Sequence, residues 1–519
     1  MTPPDVIARV CLSDLERVHQ ADQPYTRYFS WHGVPAPLRA NWRILARWWL
    51  MQLTTAPAYV PPREFYAGDE LVWAVDLRSY RWNAAAWHAL TARDNLFRQG
   101  YVDDLTADRL RQLIGVKQDA GTLHSEAILW WPRVWRDSME TDRAPTYYDL
   151  LFANQRYPGG GVQREAYTVD EVHEHRGGPY TAPDGKQYAN LAPGRYRVTV
   201  TKYREKAVAA QFVDFPRNED DWNEFFGVKD ATAFLKKQQI HLNHGAVVAG
   251  SSDDPVKGSI VARNNRVVII KPTVLGASFE TIDTDTTSGD TDFSEKHPEI
   301  AVGKVKRKAG ELLSPLPAGG QAGLLINGDG KRIETAGLNF AHNRQDPDYG
   351  DVRTVMGCVM CHQPDDGFIM PRDLTVETLR KGIEIRIKDR EVRDRTLAFF
   401  LDWDEKVVGW RANYARLRNR ATNEGADPKG KGWLPAQVNR EFLAFRRWYD
   451  SPVPPEQSAR EVGIPMPVLK LMVLDSRRNR LNDLAAGFAQ PRKTWDVDLV
   501  PDVMLRYVDV RDGKPIDYR

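Results

Sequence analysis

Cys358-Val-Met-Cys361-His362 is the stretch on which the interpretation of the whole chain depends. Two thiols three positions apart, followed directly by an imidazole, form the C-x-x-C-H pattern of covalent haem c attachment. Each thiol can form a thioether with one vinyl group of the porphyrin, and the adjacent imidazole then ligates the iron. The sequence therefore predicts one covalent haem c, attached through Cys358 and Cys361 and ligated by His362.

Two other kinds of site also use closely spaced cysteines. A zinc site needs a second pair of ligands, and the one other cysteine in the chain is Cys11. A redox-active dithiol of the thioredoxin type occurs in a βαβ unit, a pattern that the residues around the motif do not show. The haem interpretation is therefore favoured, and Cys11 is expected to be a small buried hydrophobe.

The ligand on the other face of the iron decides what such a haem does. A methionine sulfur there favours electron transfer and raises the reduction potential, whereas an open face favours ligand binding or catalysis. Met466 stands between two prolines in a stiff segment, Met370 precedes Pro371, and His342 offers a nitrogen. The sequence leaves Met466, Met370, His342 and an open face as alternatives.

Composition and charge narrow the class of protein. The 519 residues carry 72 basic and 70 acidic side chains, so the net charge of +2 gives no support to nucleic-acid binding. No stretch approaches the roughly eighteen apolar residues that a membrane span needs, so no transmembrane segment is expected. The 16 tryptophans are many for this length, and most of them are expected to lie in the core.

Haem c is attached outside the bacterial cytoplasm, which bears on where the protein works. The first residues, from Met1 to Asp5, show neither the basic nor the apolar part of a signal peptide. We therefore expect a protein of the periplasm, or of another extracytoplasmic compartment, whose leader has been removed.

Residues 195–372, which contain the motif, favour an antiparallel β-rich haem c domain. Apolar and polar residues alternate from Tyr196 onward, as in a half-buried strand. Turn residues between β-branched runs predict two hairpins, one around Asn264-Asn265 with residues 259–262 as its first arm, and one around Gly328-Asp-Gly330.

The regions on either side favour helices. Residues 1–153 are expected to be mostly helical, because the apolar residues between Leu38 and Leu53 recur every three or four positions. Residues 373–519 are expected to be a helical C-terminal domain. Its predicted helices span residues 376–400, 404–418, 438–449, 456–462 and 477–488.

A segment of different character joins the N-terminal and haem-bearing regions. Residues 154–194 are rich in glycine turns, which favours an irregular insertion or linker, with His173 and His175 in a polar loop. A single further helix is predicted over residues 230–239. The predicted fold class is α+β, with a helical N-terminal region, an antiparallel β haem-bearing domain and a helical C-terminal region.

Four stretches resemble a family of large, little-characterised bacterial mono-haem c-type cytochromes. Proteins of this family place a long region before one C-x-x-C-H motif and a helical tail after it. The resemblance covers most of the chain and implies haem and export, but no substrate. The four stretches are Tyr25–Phe29, Val75–Trp82, His244–Ser251 and Gly357–His362.

Residues 245–372 are also similar to the small mono-haem cytochromes that oxidise hydroxylamine, and to their gas-binding relatives, the beta-type cytochromes c′. The shared features are an antiparallel sheet that runs into a C-terminal C-x-x-C-H motif, and Pro364, Phe368 and Pro371 after it. The hydroxylamine-oxidising family cross-links a strand lysine to the porphyrin, but Thr281 stands at that position here. The resemblance implies a haem domain, and the missing lysine argues against hydroxylamine oxidation.

Three functions are compatible with these features. The first is electron transfer to or from a redox partner protein, which needs only a buried haem and a stable pair of axial ligands. The alternative is a haem enzyme or gas-binding protein with an open distal site and peroxide, nitric oxide or hydroxylamine chemistry. The third is a scaffold that the haem anchors. We expect electron transfer, and the sequence leaves enzyme activity open.

Overall fold

The chain is described by a computed structural model, and every structural statement below concerns the residues that it describes. These are 2–92, 104–115, 127–141, 146–153, 162–181, 187–207, 215–228, 245–249, 266–273, 276–283, 307–337, 341–343, 346, 348, 350–361, 384, 388–391, 393–394, 412, 416, 435–462, 466 and 489–492.

The N-terminal part combines helices with short strands. In chain order these are α1 (Pro4–Arg17), β1 (Thr26–Ser30), α2 (Ala36–Gln52), β2 (Arg63–Ala67), β3 (Glu70–Asp76), α3 (Ala84–Ala92), α4 (Asp104–Leu113), β4 (Ile128–Trp130), α5 (Trp131–Met139) and α6 (Thr146–Leu151). The strands form one sheet in the order β2-β3-β1-β4, in which β1 is parallel to β4 and antiparallel to β3.

The long helix α2 shows why this part packs as it does. Its predicted apolar stripe is the buried face, since Trp42, Leu45 and Trp49 are at most 1% exposed. On the other side, the guanidinium of Arg43 pairs with the Glu64 carboxylate on β2 at 3.2 Å. The predicted helix is confirmed, but its stripe is not one-sided throughout: Leu38 is 38% exposed, and residues 48–52 are all buried.

A six-stranded antiparallel sheet precedes the motif. Its strands are β9 (Gly245–Ala249), β10 (Arg266–Thr273), β11 (Gly276–Ile282), β12 (Ala309–Pro315), β13 (Gln321–Asn327) and β14 (Arg332–Ile333), numbered here after the four strands β5 to β8 defined below. Each strand pairs with its neighbours in the chain, giving the order β14-β13-β12-β11-β10-β9. A short helix before the sheet, α7, spans Glu219–Phe225.

One predicted hairpin is confirmed and the other is wrong. β13 and β14 pair across Gly328-Asp-Gly330, as the turn residues indicated. The turn at Asn264-Asn265 was expected to join β10 to residues 259–262, which lie outside the described residues. β10 pairs instead with β9 along one edge and with β11 along the other. Residues 266–270 are therefore a strand, as predicted, but its predicted partner was wrong.

Beyond the sheet, short strand pairs and helices complete this part. The elements are β15 (Thr335–Ala336), β16 (Val352–Arg353), α8 (Met356–Cys361), α9 (Pro435–Asp450), β17 (Pro452–Val453), α10 (Pro455–Val462) and β18 (Gln490–Pro491). β15 pairs with β16, and β17 with β18. The predicted helices at 438–449 and 456–462 are confirmed by α9 and α10. Those at 230–239 and 477–488 lie outside the described residues, and those at 376–400 and 404–418 almost wholly so.

The described residues form two compact units. Those of the smaller unit all fall within Gln155–Val213. Within it, β5 (Val162–His175) and β8 (Gly194–Ala207) pair along their whole length, and β6 (Gly178–Thr181) pairs with β7 (Gln187–Leu191).

These strands correct the expectation of an irregular segment over residues 154–194. Two of the glycines that suggested a loop, Gly177 and Gly178, lie where β5 gives way to β6 and adopt positive φ angles of 97° and 105°. His173 and His175 accordingly lie on a strand, β5, rather than in a polar loop.

The larger unit contains Met1–Gln118, Thr122–Asn154 and Asp214–Arg519. Its main core draws on every region for which the sequence suggested a separate domain. Trp42 of α2, Leu313 of β12, Cys358 of α8 and Phe442 of α9 belong to the same buried cluster. Residues from the expected N-terminal, haem-bearing and C-terminal domains are therefore buried against one another within this unit. The fold class is α+β, as predicted.

Candidate functional site

The C-x-x-C-H motif begins on the short helix α8. Val355 precedes it with a φ of 78°, an unusual conformation for a β-branched residue. Val355 also bridges Glu140 of the N-terminal part, and its carbonyl accepts a hydrogen bond from the Val359 N–H at 2.9 Å. This strained, tightly held residue sets the direction in which the helix starts.

Cys358 is buried on this helix. Its side chain is 3% exposed and belongs to the main core, and it makes no disulfide with Cys11, the other cysteine whose side chain is described. Helical positions three apart share a face, so the backbone presents Cys361 on the same side as Cys358. The Cys361 side chain and all of His362 lie outside the described residues.

Gly323 of β13 makes room for the Cys358 sulfur. A Cβ atom at this glycine would stand 3.3 Å from the Cys358 Sγ and 3.4 Å from the Cδ2 of Leu313. The glycine N–H donates to the Tyr147 hydroxyl at 3.4 Å, and the Tyr148 hydroxyl donates to the glycine carbonyl at the same distance. Two hydroxyls of α6 therefore satisfy the backbone of the strand that contacts the thiol.

Burial determines the protonation state of the Tyr148 hydroxyl. It raises the pKa of Tyr148, and the nearby charge of Glu334 raises this pKa further. The Tyr148 hydroxyl therefore keeps its proton and acts as a neutral donor beside Cys358.

Helix α9 contacts the motif helix from another side. The Asn439 amide donates to the carbonyl of Met360 at 3.3 Å, which satisfies one of the last carbonyls of α8. Phe442, one turn further along α9, belongs to the same core cluster as Cys358. The C-terminal part of the chain thus helps to position the motif.

A buried ion-pair network fixes the segment that leads into the motif. Arg446 of α9 makes two bonds to the Asp346 carboxylate, at 2.5 and 2.6 Å, and one to Glu140 at 3.3 Å. Glu140 also accepts from Arg136 at 3.1 Å and from Arg353 at 3.2 Å. Because these groups are paired and hydrogen-bonded, their charges are compensated despite burial, and Asp346 is engaged in structure.

The distal candidates fall in different places. His342 lies half-buried before β16, and its Nδ1 is buried with no hydrogen-bond partner among the described residues. Its neighbour Ala341 packs with Val352, and Val352 contacts Gly357 of the motif helix. Met466 packs against a second core cluster, which does not contain Cys358. Met370 lies outside the described residues.

Thr281, at the position where the resembling family has its cross-linked lysine, has a structural role here. It lies on β11, and its hydroxyl accepts a hydrogen bond from the Glu311 N–H at 2.8 Å and contacts Asp283. The Thr281 hydroxyl is thus already hydrogen-bonded, to the backbone of Glu311 and to the side chain of Asp283.

The residues present fit covalent attachment as far as they are described. A buried thiol stands on a helical turn that brings the second cysteine to the same face, and a strand glycine leaves space at the sulfur. Among the described side chains, no three of the His, Cys, Asp and Glu type converge as a metal site would require. His362 is not among the described side chains.

A cavity of about 880 Å³ lies elsewhere, between the start of α2, the β2–β3 turn and α10. Its buried charged groups, Arg39 and Glu70, pair with each other at 3.0 Å. Arg39 also donates two hydrogen bonds to the Val34 carbonyl. Arg39 and Glu70 are therefore engaged in structural contacts, and neither belongs to the C-x-x-C-H motif.

Sequence reasoning singled out the C-x-x-C-H motif but missed its surroundings. Gly323, Tyr147, Tyr148 and Asn439 lie far from the motif along the chain, and nothing in their local sequence marks them. Their importance depends on a tertiary arrangement that brings three elements around one short helix.

Comparisons with known proteins yielded no relative. No model of a known protein family matches the chain, and neither does any curated protein or solved structure at the level of similarity required. Within the described ranges, no helix has both the length and the apolar character to cross a bilayer.

Proposed function

We propose that this chain is an exported c-type haem protein that carries one covalent haem and takes part in electron transfer. The observation that carries the proposal is the C-x-x-C-H pattern at Cys358, Cys361 and His362. Its support from the fold is that Cys358 is buried in the main core, on a short helix held by β13 and α9.

Each residue of the motif has a role in this proposal. Cys358 and Cys361 would hold the porphyrin through thioethers, and His362 would supply the proximal nitrogen. When bound, the haem supplies a one-electron iron couple. The surrounding chain would exclude water, because Cys358, Val359 and Met360 are each at most 4% exposed. A dry site of this kind shifts the reduction potential of an iron centre.

His342 is the distal candidate that the described residues support best. Its buried Nδ1 has no partner among them, which is costly for a polar atom unless something binds it. Its loop reaches the motif helix through Ala341 and Val352. A second imidazole would give a six-coordinate iron, which suits electron transfer more than ligand binding.

The location and partner follow from the same chemistry. Because haem c is attached outside the bacterial cytoplasm, the proposal includes export to the periplasm or another extracytoplasmic compartment. A carrier that cycles between two iron states needs a redox partner protein, which would dock where the haem edge approaches the surface.

The first test concerns attachment. The full chain is produced in a host that matures haem c, and the denatured protein is run on a gel stained for haem. We expect covalent pigment in the native sequence and in Cys11→Ala, a buried-thiol control, and much less in Cys358→Ala. Colourless protein, or pigment that acid acetone removes, would refute the proposal.

The second test concerns the axial ligands. Absorption spectra of the oxidised and reduced protein should show low-spin, six-coordinate iron, and His342→Ala should convert it to a high-spin form. A native protein that is already high-spin, and whose spectrum changes with nitric oxide, peroxide or hydroxylamine, would favour the enzyme or gas-binding alternative instead.

A further inference from the structure

Two buried glutamine amides lie next to each other where the end of α2 meets the start of β13. Gln52 is 1% exposed and Gln321 is 4% exposed. The Oε1 of Gln52 accepts a hydrogen bond from the backbone N–H of Gln321 at 2.9 Å. A Cβ atom at Gly320 would stand 2.9 Å from the same oxygen, which is closer than ordinary contact. The glycine therefore lets Gln52 reach the strand.

The other polar atoms of both amides are unpaired. The Nε2 of Gln52, and both the Nε2 and the Oε1 of Gln321, make no hydrogen bond among the described residues. A primary amide offers two N–H donors, so several buried donors are unused. Buried polar groups are nearly always hydrogen-bonded, because an unpaired one is costly in a dry core. Unused donors on two adjacent amides therefore indicate that a hydrogen-bond acceptor binds here.

The amide of Gln321 lies on the side of the sheet that meets the motif helix. Gln321 and Gly323 are two positions apart on β13, so their side-chain directions fall on the same face of the strand. A Cβ atom at Gly323 would stand 3.3 Å from the Cys358 Sγ. Two positions along a strand span roughly 7 Å. Gln321 is therefore on the face that contacts the buried thiol, and is offset from the sulfur along the strand.

The last turn of α2 reaches the same part of the core. Gln52 follows Trp48 by one helical turn, and the Trp48 ring lies 5.8 Å from the ring of Phe442 on α9. Asn439, one turn earlier on α9, donates to a carbonyl of the motif helix. Trp48, Phe442 and Cys358 belong to one buried cluster. The donors of Gln52 are thus close to the core that contains the motif.

A carboxylate is the acceptor that best matches these donors. Each of its two oxygens can accept more than one hydrogen bond, so one carboxylate can use both amides. Its bonds to N–H donors are also stronger than those of a neutral acceptor. Haem carries two propionates on the half of the macrocycle opposite its two vinyl positions. A ring held by thioethers at one edge therefore places a carboxylate away from the cysteines, and the amides are displaced from Cys358 in the same way.

We propose that Gln52 and Gln321 bind a propionate of the haem through their Nε2 donors. This inference rests on the proposed function, and it makes the two glutamines positioning residues that orient the ring. The bond from the Gln321 N–H to the Gln52 Oε1 holds the first amide with its donors free. Because both amides are neutral, they bind the carboxylate without adding a positive charge to the core.

The test is resonance Raman spectroscopy of the haem-loaded full chain. The spectrum contains a bending band of the propionates, whose frequency rises when a propionate is hydrogen-bonded. Gln321→Met removes the unpaired amide at similar side-chain size, and Gln52→Met removes the other donor. We expect this band to shift to lower frequency in both variants. The bands that report spin state and coordination number should stay as in the native protein, because neither glutamine ligates the iron.

Ser458→Ala is the matched control. The Ser458 hydroxyl is also buried and without a hydrogen-bond partner in the part of the chain that the structure describes. Its neighbour Ala459 packs in the second core cluster, which does not contain Cys358. The control should leave the propionate band unchanged. A band at the native frequency in both Gln321→Met and Gln52→Met would overturn the proposal, as would an equal shift in Ser458→Ala.

The proposal and the haem assignment fail in different ways. Covalent attachment does not involve the propionates, so gels stained for haem should show equal pigment in the native protein and in all three variants. Colourless native protein would refute the proposed function, and this inference with it. Pigmented protein whose propionate band does not respond to either glutamine would refute this inference alone.

Discussion

Lys271 in the six-stranded sheet and His32 in the N-terminal part are both fully buried basic side chains. Lys271 is kept charged, whereas His32 is kept neutral. Lys271 of the six-stranded sheet lies beside Glu280, and its Nζ is 3.1 Å from the Glu219 carboxylate. Burial lowers the pKa of Lys271, but Glu280 and Glu219 outweigh this and raise it overall. His32, beside the aromatic core of the N-terminal part, has its pKa lowered by burial to about 4.

The difference shows that countercharge, and not burial alone, sets the state of a buried base. The Lys271 quartet, completed by Arg307, contains two acids and two bases in direct contact. Burial lowers the pKa of His32 and outweighs the hydrogen bond from its Nε2 to the Glu461 carbonyl at 2.7 Å, which raises this pKa. The buried Lys271 is therefore stabilised in its charged form by paired carboxylates, whereas the buried His32 stays neutral.

The largest effect is expected from breaking the pairing in the sheet. Lys271→Met leaves Glu280, which is 0% exposed, with less compensating charge. We expect a loss of about 3–5 kcal/mol in the free energy of unfolding, measured by urea denaturation. The double variant Lys271→Met/Glu280→Gln should recover part of this, since it removes the unpaired charge. A single variant as stable as the native protein would contradict the comparison.

The next effect concerns pH and His32. Because its folded pKa of about 4 lies below the usual 6.5, the unfolded state binds the proton more tightly. The contribution of the neutral His32 ring to the free energy of unfolding is therefore fully present above pH 6.5. It is lost as the pH falls from 6.5 to 4, and it amounts to about 3 kcal/mol. Glu70, 4.0 Å away, has its pKa raised by burial and acts in the opposite direction.

The contribution of Glu70 cancels when the native protein is compared with a variant that lacks only His32. Unfolding free energies of the native protein and of His32→Gln are determined at several values between pH 7 and pH 4. The variant keeps a donor for the Glu461 carbonyl and should lose stability less steeply on acidification. Parallel curves for the two proteins would show that His32 does not titrate as described.

A smaller effect distinguishes paired from unpaired indoles in the aromatic region. Trp49 donates to the Ser138 hydroxyl at 2.8 Å, whereas the Trp42 Nε1 has no hydrogen-bond partner among the described residues. Both side chains are at most 1% exposed. Trp49→Phe should therefore cost about 1 kcal/mol more than Trp42→Phe, because only the first leaves a buried hydroxyl without its donor. Thermal unfolding of the two variants measures the difference.

The smallest effect is expected at a surface ion pair. Arg63 makes two bonds to Asp14, at 2.9 and 2.6 Å, but its side chain is 53% exposed. Arg63→Gln should cost less than about 1 kcal/mol, and high salt should reduce even this. If Arg63→Gln lost as much unfolding free energy as Lys271→Met, and salt did not change that loss, the distinction between exposed and buried ion pairs would be wrong.

Local patterns predicted much of the fold. The stripe of α2, the turn between β13 and β14, and helices α9 and α10 follow from periodicity and turn chemistry, which involve residues close in the chain. The strand from Tyr196 onward also followed from its alternation, as part of β8, but the partner of β10 and the strands β5, β6 and β7 did not. Glycine-rich stretches fit an irregular loop and the connections between strands equally well until the pairing of the strands is known.

The sequence by itself determined the C-x-x-C-H motif at Cys358, Cys361 and His362 and the α+β class, because both depend on residue type and short-range spacing. Only the tertiary structure decided that Gly323 faces the Cys358 sulfur, that Lys271 meets Glu280, and that Gln52 accepts from Gln321. These contacts join residues that come together only through the packing of whole elements around a common core, and that packing is a property of the entire chain.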